Sequence, residues 1–171
     1  MTTENEVEVI EKGSILLQFV LSSLEDTRDI IVRLQKILDG LLTDRAYFEI
    51  IFLRAFAVDY ITTVTLGDSP KRNAILDAYY ELFKNTATSS PTGPVVLEGL
   101  LSRLHVYAEA VDNSSDEDVS WTVGKTFAQL FDQELNFFVV LFGKALYNRY
   151  HTYVAEILKS ETSSRSEHRL H

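Results

Sequence analysis

The chain has 171 residues, 46% of them apolar and 24% charged, with 7 glycines, 3 prolines and no cysteine. A chain of this length buries about 70% of the surface it exposes when unfolded, and so few glycines and prolines set turn-rich β-sandwiches and barrels aside. Thiolate metal sites, iron–sulfur clusters and cysteine nucleophiles are excluded, and a net charge of −9 repels a phosphate backbone, which argues against nucleic acid as a partner.

Apolar residues recur at helical spacing in the tracts between Pro70, Pro91 and Pro94. The expected fold is all-α: a helical bundle of about five helices with long first and last helices. Residues 1–159 are expected to form a single domain, with a polar loop at 85–94 between its halves and a flexible polar tail at 160–171. Thr3 followed by Glu6 has the form of a capping box. From there Ile10, Gly13, Leu17, Val20, Leu24, Thr27, Ile31, Leu34, Leu38 and Leu41 step by three and four, a heptad seam with Gly13 and Thr27 as its defects. One continuous helix is expected, and Ser22-Ser23 is the place where it would break. The first residues lack the positive stretch of a secretory signal. The longest uninterrupted apolar run is 137–142, and the oily tract 46–66 carries Glu49, Arg54 and Asp59, so no bilayer span is expected and the protein is read as cytoplasmic.

The second helix starts at Thr43-Asp44 and ends where Gly67 can supply a left-handed residue. On its wheel Arg45, Glu49, Asp59 and Thr63 share a polar stripe. Arg54 lies about 180° from Arg45, among Tyr47, Ile50, Ala57, Val58 and Ile61. A guanidinium there keeps its proton and needs a carboxylate, a carbonyl, water or an anionic ligand. A buried ion pair or a snorkelling stem is the simpler reading; an anion anchor in an aromatic-lined cavity, with Tyr47 and Tyr150 beside it, is the sharper one.

Asp68-Ser69-Pro70 reads as an N-cap with proline at the first helical position. The helix that follows divides into Ile75, Tyr79, Leu82 and Phe83 on one face and Asn73, Asp77, Glu81 and Lys84 on the other. A fourth helix, 94–111, sets Glu98, Ser102, His105 and Glu109 on one flank. A histidine near carboxylates can act as a base. A single helix does not converge its side chains on one atom, however, and no Glu-x-x-His is present within the helices, so a solvated face is expected there and no metal site. Leu97, Leu100, Leu101, Leu104, Ala108 and Val111 are taken as its buried flank.

After an acidic turn at 112–118, Trp121, Gly124, Ala128, Phe131, Leu135, Phe138, Phe142 and Ala145 again step by three and four. The run 137–142 is apolar all round, which implies a helix at the centre of its bundle or one shared with a second subunit. Phe137, Phe138, Leu141 and Phe142 are the expected contact of a homodimer. No phosphate-binding loop, dinucleotide fingerprint, nucleophile elbow or zinc-protease motif is present, so no enzymatic activity and no cofactor are expected. Two functions remain. One is a self-associating interaction or regulatory module, with a protein partner in view. The other is a helical sensor whose Arg54 anchors an anionic small molecule.

Overall fold

A computed structural model describes residues 4–115 and 118–160. Among them the chain forms seven helices and no strand: α1 (Glu4–Val20), α2 (Leu24–Ile37), α3 (Thr43–Leu66), α4 (Pro70–Thr88), α5 (Gly93–Asp112), α6 (Val119–Gln129) and α7 (Phe137–Lys159). The all-α architecture is as expected, but the count is higher than five because both long helices are broken. Thr3 of the expected capping box and residues 161–171 of the tail lie outside the described residues.

The first break follows serine chemistry. Ser22 turns its hydroxyl onto the Phe19 carbonyl at 2.9 Å, and Ser23 accepts from the Asp26 N–H at 3.1 Å as the N-cap of α2. Hydroxyls that bond nearby backbone compete with continuing the helix in this way. The second break, at 130–136, carries no glycine or proline. There Asp132 takes a positive φ of 58°, and the Asn136 side chain accepts from the N–H groups of Phe138 and Val139 to start α7. Leu135, placed on the expected seam, is 95% exposed as a result.

The central helix is α3, not the last one. It packs against α1, α2, α4, α5 and α7, and every residue from 49 to 58 is buried. Gly67 ends it with φ 60°, and Ser69 caps α4 with Pro70 in its first turn. The connection expected at 85–94 shrinks to 89–92, because α5 starts at Gly93, whose backbone lies so close to the Ala87 carbonyl that a side chain would collide with it.

Close approach also explains Gly13. A Cβ there would lie 3.0 Å from the Ala78 Cβ and from the Tyr79 amide nitrogen, so glycine lets α1 lie against α4. One residue earlier, buried Lys12 pairs with Glu8 at 2.9 Å and donates to the Leu158 carbonyl at 3.0 Å, which closes α1 onto the end of α7. Where α6 meets α7, a Cβ on Gly124 would strike the Val140 carbonyl, and one on Gly143 would lie 2.8 Å from Phe127.

Candidate functional site

The polar stripe expected on α3 is wet only in part: Arg45 is exposed, Asp59 and Thr63 are half-buried and Glu49 is buried. Glu49 is 4% exposed and held by the guanidinium of Arg103 on α5, with Nε at 2.9 and 3.0 Å and Nη2 at 2.6 Å. That hydrogen bonding holds the Arg103 guanidinium above its ordinary pKa. Asp59 accepts from the Tyr80 hydroxyl at 2.8 Å, and Arg45 donates to the Leu130 carbonyl at 2.9 Å. Neighbouring elements therefore bury Glu49 and supply partners to Glu49, Asp59 and Arg45, which the helical wheel of α3 alone does not reveal.

Arg54 sits about 140° around α3 from Glu49 and is treated differently. It is 4% exposed. Among the described residues Nη1 donates to the Thr27 hydroxyl at 3.3 Å, and Nε is buried without an acceptor. Among the described residues no carboxylate lies within ion-pair distance of it. The rings of Phe19 and Tyr150 stand 5.8 and 5.5 Å from the guanidinium carbon, and the π faces offset part of the cost of burying the charge. Thr27, the second defect of the seam, is fully buried and receives this arginine.

A cavity of about 780 Å³ opens beside the guanidinium, between α1, α2 and α7 with Arg54 of α3 in its lining. Phe19, Ile30, Tyr150 and Tyr153 supply its apolar wall, and Phe19 packs edge-on against Tyr150 with centroids 5.5 Å apart. The volume lies within the usual range for small-molecule sites, about 300–1,000 Å³. The Tyr150 hydroxyl, on a residue 3% exposed, meets no partner in good hydrogen-bond geometry among the described residues. Burial pushes its pKa up, and the nearby Arg54 guanidinium, by its charge and as a polar neighbour of the hydroxyl, offsets part of that rise. Tyr47 stands at the border, donating to the carbonyl of Ser22, a lining residue, at 3.2 Å. Its hydroxyl is likewise raised by burial and lowered by Arg54.

The other expected groups do not converge with this cavity. Glu98, Ser102, His105 and Glu109 are all exposed on α5, with His105 and Glu109 facing each other at 3.8 Å. Among the described residues no group of three or more acids and histidines is placed to hold a metal ion, and no helix is long and apolar enough to cross a membrane. The buried flank of α5 is also rotated from the expected one: Leu101 is 57% exposed and Ala108 is exposed, while Leu100 and Tyr107 are buried. Tyr107 points inward because it stacks on Phe56 of α3, centroids 4.9 Å apart.

On α7, Phe137 and Phe138 are 57% and 72% exposed and Leu141 is 39% exposed, while Phe142 is half-buried against Phe127. Phe19 and Arg149 of the lining are not singled out by the sequence. Phe19 lies one residue off the heptad seam, and nothing in the local pattern separates it from an ordinary core ring. No known protein family matches the chain, and no curated protein or solved structure shows significant similarity to it.

Proposed function

We propose that the protein is a non-enzymatic ligand-binding module, a helical sensor in which Arg54 anchors the anionic group of a small molecule. The observation that carries this reading is a permanently charged guanidinium, 4% exposed, with an orphaned Nε, no carboxylate and a cavity beside it. A bidentate oxyanion supplies what the neutral Thr27 hydroxyl does not, two parallel charge-assisted hydrogen bonds. The test is a thermal-shift screen of carboxylates and phosphates, with native mass spectrometry of the purified protein. A ligand that shifts the wild-type melt and leaves Arg54→Met unmoved supports the reading. A wild type that neither carries a small molecule nor responds to any anion overturns it.

A second reading, self-association as a homodimer, rests on a different observation: Leu135, Phe137, Phe138 and Leu141 crowd one end of α7 with large exposed apolar surface. Light scattering at micromolar concentration tests it. A mass of two chains that falls to one in Phe138→Glu, with unchanged helicity, supports the dimer; a wild-type mass of one chain removes it.

A further inference from the structure

The rim of the Arg54 cavity carries charges of both signs. Asp26, Asp29 and Arg33 of α2 face into it, as do Arg149 and Glu156 of α7, all of them exposed side chains. Counting Arg54, the lining holds three arginines and three carboxylates, so its formal charge is zero. None of these groups forms an ion pair with another; of the five at the rim, only the Asp26 side chain has a hydrogen-bond partner among the described residues, accepting from the Ser23 hydroxyl at 2.8 Å.

A simple anion is drawn to Arg54 at the floor and meets a mouth where three carboxylates stand against two arginines, a net charge of −1. A cation meets the reverse. A molecule carrying both charges gains at each end; the attraction to buried Arg54 is screened less than in bulk water, and the one at the exposed rim is the weaker of the two. Resting on the anion-anchoring reading of Arg54, we propose that the cavity takes a zwitterion with an aromatic or apolar body. Its carboxylate bonds Arg54 in the depth, its ammonium lies between Asp29 and Glu156 at the rim, and its body lies along Phe19, Tyr150 and Tyr153.

The zwitterion distinguishes itself from a plain aromatic acid by its dependence on the rim. Asp29 and Glu156 are the residues to vary, because both are exposed and neither side chain makes a hydrogen bond or ion pair among the described residues; Asp26 belongs to the cap of α2 and is left intact.

Calorimetric titration with phenylalanine and with alanyl-phenylalanine, each also as its N-acetyl form and its C-terminal amide, tests the proposal. The two parents bracket short and longer separations of charge. At least one free parent should bind about tenfold more tightly than its N-acetyl form, with the amides weakest. Asp29→Asn combined with Glu156→Gln should bring that ratio close to one without weakening the N-acetyl forms. Arg54→Met should remove every carboxylate ligand. N-acetyl forms that bind as tightly as the parents, or a ratio unmoved by the rim variants, overturn the zwitterion and leave the anion site standing. If no member of the panel binds the wild type, the zwitterion proposal falls, and the anion site falls with it when the broader anion screen is also silent.

Discussion

Replacing Arg54 by methionine is expected to make the protein more stable. The guanidinium stays charged at 4% exposure, and desolvating such an ion costs several kcal/mol even after relaxation. Its buried Nε, without an acceptor, adds about 1–3 kcal/mol. Against this stand a hydrogen bond of 3.3 Å to a hydroxyl, at the low end of the 1.5–3 kcal/mol given by bonds to charged groups, and two ring contacts of about 0.5–2 kcal/mol each. The terms nearly cancel, with the balance against the charge. Methionine keeps an apolar stem along Phe19 and Tyr150, and Thr27 stays satisfied through its own bond to the Ser23 carbonyl at 2.9 Å. The expected gain is about 1–2 kcal/mol, or about 2–8 °C in Tm for a chain of this size. Calorimetric melts of both proteins without ligand measure it. A fall of the same size would refute the reasoning, because the guanidinium would then be holding the fold together and its orphaned Nε would no longer point to a missing ligand.

Arg103→Leu should act in the opposite direction. It leaves the Glu49 carboxylate buried without its partner, at a cost of about 3–5 kcal/mol, so a melt within about 2 °C of wild type would contradict the pairing. Gly124→Ala should lower Tm although alanine favours helices by about 1 kcal/mol, because the added methyl meets the Val140 backbone and overpacking costs about 1–3 kcal/mol; a rise would mean that α6 and α7 separate freely. Hydrogen bonds from Lys12 and Lys71 hold the Glu8 carboxyl below its usual 4.5. A depressed folded pKa stabilises above the unfolded value and loses that effect as pH falls through the folded one. Melts between pH 6 and pH 3 should thus decline less steeply for Glu8→Gln, and parallel curves would remove Glu8 from the acid limb.

The helical class is legible because apolar spacing is set by each helix's own burial, and Gly67, Ser69 and Pro70 are legible because caps are local chemistry. The break at 130–136 is not. The seam runs through Leu135 in perfect step, and only Asn136 as a cap and Asp132 as a residue that tolerates positive φ mark it. Arg54 stands out on its own wheel, whereas Glu49 looks solvated until α5 is laid across it. Gly13 and Thr27 are visible as faults in a pattern, but their purpose belongs to other helices: one admits α4 and the other receives Arg54. What a single helix reports is which residues differ from their neighbours. What covers them is settled by tertiary packing.

The bond from Lys12 to the Leu158 carbonyl joins positions 146 apart. Contacts of such separation are slow to form, since the chain must lose loop entropy before they return anything. Because α1 and α7 are two walls of the Arg54 cavity, the cavity is complete only once the two ends of the chain have met. Any fluctuation that parts the two helices in the folded protein also widens the cavity's entrance. Folding and, on the ligand-binding reading, ligand exchange thereby depend on how α1 meets α7, held by Lys12 near the middle of α1 and by Phe19 against Tyr150 toward its end.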